Sequence, residues 1–291
     1  MRRGFKVGSV LGVVALCLFA CALGGARVER VGEARGSLVQ EEAAVESLEE
    51  AFKAPLKVRR LALSGVDPET RHLPARLGTL VNLESLEIAC LEKLEDLPEE
   101  IGALRNLREL VIDNGNGCSM NVRLPRSIGR LENLRALRLY GALDGRDLDA
   151  EEGARKNLSK PLPDTLANLA RLEELDLGRN GIRAVPQQVG SLRGLKKLGL
   201  DYNELRQLPS FVGNLTNLRE LSLRSNGGVR LPDSLANIKR LRIFMGNNKL
   251  TLLEQRRLRA RFPGATFSFE NEFDDDAANE EPKPKGRKRR R

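Results

Sequence analysis

Residues 172–240 read LEELDLGRNGIRAVPQQVGSLRG, LKKLGLDYNELRQLPSFVGNLTN and LRELSLRSNGGVRLPDSLANIKR, so Leu172, Leu195, Leu218 and Leu241 each open a copy of one 23-residue pattern. Each copy runs L-x-x-L-x-L, then an Asn, an apolar residue before Pro, an aliphatic-Gly or aliphatic-Ala step, and a further Leu or Ile. A period of this length marks one supersecondary unit per copy, stacked into a solenoid. Within L-x-L the leucines share a face because strand side chains alternate with period two, which leaves the intervening residues on the opposite, solvated face.

By these residues the chain resembles the leucine-rich repeat family, and within it the short class carrying an L-P-x-x-[LIV]-G-x-L phrase. The resemblance implies an α/β solenoid: a horseshoe with a parallel concave β-sheet. Upstream, irregular copies start at Val58, Leu83, Leu107 and Leu134, with spacings of 25, 24, 27 and 38 residues before the rhythm settles to 23. About eight repeats therefore span 58–250. The last copy breaks the pattern, because Phe244 fits the inward face but Gly246 sits where an inward Leu belongs. Asn248 comes one residue early, so a register slip is expected there. Asn180, Asn203 and Asn226 predict a buried amide ladder that satisfies backbone groups where each strand turns. The equivalent positions upstream are Val66, Leu91, Gly115 and Ala142, which predicts looser turns in the N-terminal half.

Both ends carry cap signals. Ser37 and Gln40 have capping-box spacing, and Leu38, Val45, Leu48 and Phe52 recur at helical intervals, predicting a capping helix within 37–57 that ends at Pro55. Thr251 and Glu254 repeat that spacing before Leu258, Phe262 and Pro263-Gly264, and Ala265 to Phe269 alternates as a strand, so 251–269 reads as a helix-strand cap. Residues 27–36 read as linker. Residues 270–291 form an acidic-then-basic tail with too few apolar residues to fold. Similar openings and endings occur in bacterial exported leucine-rich repeat proteins.

The 291 residues are 41% hydrophobic but only 4% aromatic, without Trp, so the core is aliphatic. The formal net charge is +9, of which Arg2, Arg3 and Lys6 carry three; this mild bias argues against nucleic acid as a partner. Residues 1–26 read as a leader: a basic start, an apolar run from Val7 to Leu23, and small residues at Gly24 and Ala26. Three fates fit it: cleavage after Ala26, lipidation at Cys21 within a lipobox-like Leu18-Phe19-Ala20-Cys21, or an uncleaved anchor. Each gives membrane contact or secretion and places the body outside the cytoplasm. In an oxidising compartment Cys90 and Cys118, which follow neighbouring strands, can form a disulfide or remain as two thiols.

Catalytic groups are sparse. His72 is the one histidine, without a recognisable Ser or Cys nucleophile at catalytic spacing, and metalloprotease, P-loop and dinucleotide-binding patterns do not occur. Some bacterial proteins with similar repeats end in a ubiquitin-ligase domain, whereas 22 residues follow Phe269 here. No enzyme, cofactor or metal is expected. In the insertion from Tyr140 to Pro161, Asp147, Asp149 and Glu151 hint at calcium, but Leu158 stands where the bidentate Glu belongs.

The concave face is the candidate site. Parity assigns to it Glu109, Val111 and Asp113; Ala136, Arg138 and Tyr140; Glu174, Asp176 and Gly178; Lys197, Gly199 and Asp201; Glu220, Ser222 and Arg224, with Tyr202 nearby. Six carboxylates meet three bases. Such a surface suits a protein or peptide partner through charge complementarity and a few aromatic anchors. The alternative is a structural envelope component, tethered by lipidated Cys21 or held to anionic surfaces by the basic tail. Oligomeric state and partner identity are not written in the sequence.

Overall fold

Nine strands form a single parallel sheet in strict chain order: β1 (Arg60–Ser64), β2 (Ser85–Ala89), β3 (Glu109–Asp113), β4 (Ala136–Arg138), β5 (Glu174–Asp176), β6 (Lys197–Gly199), β7 (Glu220–Ser222), β8 (Leu241–Phe244) and β9 (Ala265–Ser268). The computed structural model describes residues 43–64, 69–113, 121–143 and 162–269. All belong to one compact unit, Glu42–Arg291. The leader with Cys21, the linker, Cys118, residues 144–161 and the tail lie outside the described residues.

The leucine array sets this architecture. In every layer the inward pair is buried: Leu61 and Leu63, Leu110 and Ile112, Leu175 and Leu177, and Leu221 and Leu223 are at most 1% exposed. Each such side chain contributes about 1.5–3 kcal/mol on burial, so a stack of layers outweighs any polar contact. On the far side of the core each layer passes through a short 3-10 turn, five residues long in seven layers, such as Glu99–Ala103, Arg126–Arg130 and Asp164–Asn168. Every one of those seven starts after a Pro, whose fixed φ and missing N–H suit the first position of a turn.

The Asn ladder forms and is one member longer than expected. Asn180, Asn203, Asn226 and Asn248 are all at most 8% exposed. Asn203 Oδ1 accepts from the N–H groups of Asn180 and Ile182 at 3.0 and 2.9 Å, while its Nδ2 donates to the carbonyls of Leu177, Leu200 and Asp201. Each ladder Asn follows a left-handed residue: Arg179, Tyr202, Ser225 and Asn247 have φ of 54–58°. At such a turn adjacent backbone groups diverge, and the amide bridges them.

In the first three layers, which lack the Asn, the strands are longer. β1, β2 and β3 have five residues against three in β4 to β7, so the ladder itself continues through Ser64, Ala89 and Asp113. Buried Leu91 and Ala142 occupy the Asn position. Val66 and Gly115, at two of the four turns expected to be looser, lie outside the described residues. A second Asn row, unread in the sequence, precedes the strands: the side chains of Asn82, Asn106, Asn133 and Asn217 donate to carbonyls of the preceding layer at 2.7–3.0 Å.

The register slip is real and corrects one assignment. β6 and β7 pair Lys197 with Glu220, an offset of 23, whereas β7 and β8 pair Glu220 with Arg242, an offset of 22. Ile243 and Met245 therefore turn inward, and Phe244 aligns with Ser222 on the outer face. Side chains alternate, so one missing residue transfers the whole strand to the other parity.

The Ser37–Gln40 capping-box spacing and Leu38 lie outside the described residues. Within the described part the N-terminal helix is a single turn, α1 (Leu48–Ala51), capped by Ser47 Oγ accepting from Glu50 N–H at 3.2 Å. Val45 is extended rather than helical, and its backbone bridges Leu61, covering the edge of β1. At the far end α2 (Leu252–Arg261) carries the expected Thr251–Glu254 capping box. It seats Phe262 in the core, and β9 then adds Phe267 beside β8.

Candidate functional site

The outer sheet face is built from three columns that run across the strands. Pairing aligns Glu109, Ala136, Glu174, Lys197, Glu220 and Arg242 in the first, and Glu87, Val111, Arg138, Asp176, Gly199, Ser222 and Phe244 in the second. Asp113, Tyr140, Gly178, Asp201 and Arg224 follow at the strand ends. Parity therefore places the sequence-predicted residues on one face, with one exception. Tyr202 belongs to the turn after β6, where its φ is 54° and its N–H donates to the Arg224 carbonyl at 2.9 Å.

Arg138 is the central cation. Its Nη1 donates to Glu109 Oε1 at 2.5 Å and its Nε to Glu174 Oε1 at 2.7 Å, which ties three successive layers together. The Glu174 hydrogen bond, ahead of the opposing effect of burial, holds the guanidinium still more firmly protonated than usual. Glu87, one layer earlier, is pushed up from the ordinary carboxylate range by burial first and then by Glu109 and Asp113.

Two glycines shape the middle of the face. A Cβ on Gly199 would lie 2.7 Å from Asp176 Oδ1, and one on Gly178 would lie 2.8 Å from the Tyr140 ring, so the carboxylate and the phenol each lean over a glycine of the next layer. Asp176 Oδ1 also accepts from the Gly178 N–H at 2.8 Å. Despite that bond, burial, with Asp201 and Glu174 adding repulsion, pushes the Asp176 carboxyl up to about 6. Asp201 accepts from Ser222 Oγ at 2.6 Å and from Arg224 N–H at 2.7 Å. Arg224 stacks its guanidinium 4.8 Å from the centre of the Phe244 ring.

Glu220 pairs with Arg242, while Lys197 stands exposed between Glu174 and Glu220. Glu87, Arg242 and Phe244 are the face residues that sequence parity missed. Phe244 and Arg242 could have been found by taking Asn248 as the ladder member and counting back with a 22-residue step. Cys90 is disulfide-bonded, so the two-thiol alternative fails for it; the chain's other three cysteines lie outside the described residues. His72 lies away from this face, on a minor row of bridges with Asp96 and Arg123, where its Nδ1 meets Asp96 Oδ1 at 2.8 Å. Among the described residues no group of His, Cys, Asp and Glu could hold a metal ion, and no helix is long and apolar enough to cross a membrane.

Residues 153–257 match the family described as leucine-rich repeat region, over the same stretch in which the 23-residue period, the parallel strands and the Asn ladder coincide. Residues 153–257 are a leucine-rich repeat region. A 121-residue stretch is 38% identical to TMV resistance protein N of Nicotiana glutinosa, covering 37% of this chain and 10% of that protein. The chain thus spans about a tenth of the length of that leucine-rich repeat relative. Among solved structures, an LRR protein of Leptospira interrogans is similar at 23% identity, with 79% of this chain and 70% of that one covered and a TM-score of 0.45. The leucine-rich repeat domain of the type III effector XopL is similar at 30% identity, covering 60% and 57%, with a TM-score of 0.45.

Proposed function

We propose that this leucine-rich repeat chain is a non-catalytic interaction module that engages a protein or peptide partner on the outer sheet face between β2 and β8. The observation that carries this reading is the recess at Asp176. A carboxylate held over Gly199 and flanked by the Tyr140 ring, with Asp201 and Glu174 beside it, offers a poorly solvated negative site to a cationic side chain. Arg138 is already committed to Glu109 and Glu174, and Arg224 is engaged by Asp201 and Phe244. With Lys197 and Arg242 included, the face carries four bases against the seven carboxylates of Glu87, Glu109, Asp113, Glu174, Asp176, Asp201 and Glu220, so its balance is negative. Phe244 and Tyr140 supply aromatic anchors at either side. The disulfide at Cys90 supports placing the protein in an oxidising, extracytoplasmic compartment.

The test begins with affinity capture on the intact chain, followed by titration of the captured partner against Asp176→Asn. The isosteric amide keeps the acceptor for Gly178 N–H and removes the charge, so affinity should drop about tenfold, as loss of one close charge pair does. Binding to the parent should weaken as pH falls through about 6, where Asp176 protonates. Unchanged affinity in the variant and a flat pH profile would remove the outer face from the reading.

A further inference from the structure

On the side of the core opposite the sheet, the turns 99–103, 126–130 and 164–168 border an open hollow of about 460 Å³ lined by Glu99, Arg126, Ser127, Arg130, Thr165 and Asn168. A second hollow beside it shares Glu99 and Arg130 and adds Glu100 and Arg105, so its charges balance and the first hollow is the candidate site. Several of these groups are already committed. Glu99 Oε1 accepts from the Arg126 N–H at 3.2 Å and Oε2 from the Ser127 N–H at 3.1 Å, and Thr165 Oγ1 donates to the Arg126 carbonyl at 2.6 Å. Arg105 pairs with Glu132.

The remaining groups of the first hollow all favour an anion. Among the described residues the guanidinium groups of Arg126 and Arg130 and the amide of Asn168 have no hydrogen-bond or ion-pair partner. Ser127 is only 4% exposed, and its hydroxyl is the one buried side-chain oxygen of the described residues without any hydrogen bond. A buried, unsatisfied hydroxyl is costly and persists where something else compensates it. Glu99 is the single acid lining the first hollow, and two backbone donors already hold it.

We propose that this hollow binds a tetrahedral oxyanion group, phosphate or sulfate, through the Arg126 and Arg130 forks, with Asn168 and Ser127 as neutral donors. Planar guanidinium groups engage two oxygens of such an anion at once, which a lysine cannot do. The site lies on the opposite side of the core from the partner face and stands independently of it.

Calorimetric titration of the full chain with inorganic phosphate, inorganic sulfate and chloride at matched ionic strength tests this. Phosphate and sulfate should bind saturably and chloride should not. A phosphate ester as natural ligand predicts phosphate affinity that rises as pH climbs through about 6, where the second proton leaves; a sulfate ester predicts sulfate binding that is tighter and flat with pH. Arg126→Gln with Arg130→Gln should lower affinity at least about tenfold, and Arg130→Lys, which keeps the charge but not the fork, should fall between. Ser127→Ala should raise the melting temperature of the free protein and weaken anion binding several-fold. Binding no better than chloride, or a double variant that binds like the parent and so places the anion on another cation cluster such as 283–291, overturns the proposal. A Ser127→Ala protein with unchanged anion affinity removes the hydroxyl from it.

Discussion

Asp176 concentrates the physics of the outer face. A carboxylate normally stabilises a fold above its unfolded pKa, but this one is raised from 3.8 to about 6, so the sign reverses. Below about pH 4 it is protonated in both states and contributes nothing. Between about 4 and 6 the folded protein binds more protons than the unfolded chain, and stability falls as pH rises; above about 6 the loss is complete, up to about 3 kcal/mol. Asp176→Asn should therefore be more stable than the parent at pH 7 and equal to it near pH 4, as read by urea denaturation at the two pH values. Equal stability at both would mean that the carboxylate is better solvated than its position over Gly199 implies. A group kept at such a cost is more readily understood as part of a binding surface than as a packing device.

The elements differ in how they close the backbone where each strand ends, and the two halves of the solenoid use different means. In β5 to β7 three-residue strands are joined by the Asn ladder, whereas β1 to β3 extend by two residues and use ordinary strand pairing. Asn203→Ala would leave buried N–H and C=O groups of two layers unsatisfied, at about 1–3 kcal/mol for each such group, so a loss of about 3 kcal/mol or more is expected in denaturant unfolding. Asn217→Ala, which removes one exposed bond to the Arg193 carbonyl, should cost less than about 1 kcal/mol. Similar losses at the two positions would show that the ladder is redundant with leucine packing. The exposed ion-pair row of Arg59 with Glu84 and Arg135 with Glu173 decides little, since such pairs are screened by water.

At the scale of the whole molecule, stacked layers contact mainly their neighbours, so stability is distributed along the axis. The C-terminal half is held by the Asn ladder and by the cap of α2 and β9. The N-terminal half has longer strands, the Val45 bridge and the disulfide at Cys90. Reduction should cost about 2–4 kcal/mol and should act locally: hydrogen exchange should speed up in β2 and β3 while β6 to β8 remain protected. Uniform acceleration across all strands would mean that the layers unfold as one unit. Independent halves would let the partner face and the hollow at Arg126 and Arg130 respond separately to conditions.

Much of this was legible in the residues themselves. The 23-residue period determined the parallel solenoid, because only stacking buries a leucine pattern that recurs once per supersecondary unit, and parity determined which residues share the outer face. Asn248 announced the register slip. Sequence could not assign the consequence for Phe244, since moving one residue across the sheet depends on where β8 pairs with β7. Nor could it show that Val45 bridges β1 instead of continuing a helix, because an exposed strand edge competes for its backbone. The leaning of Asp176 over Gly199, the commitment of Arg138 to two acids and the unpartnered Ser127 hydroxyl all arise between layers 23 to 38 residues apart. Periodicity determines which face a side chain occupies. Its neighbours, its solvation and therefore its charge were decided only when the layers stacked.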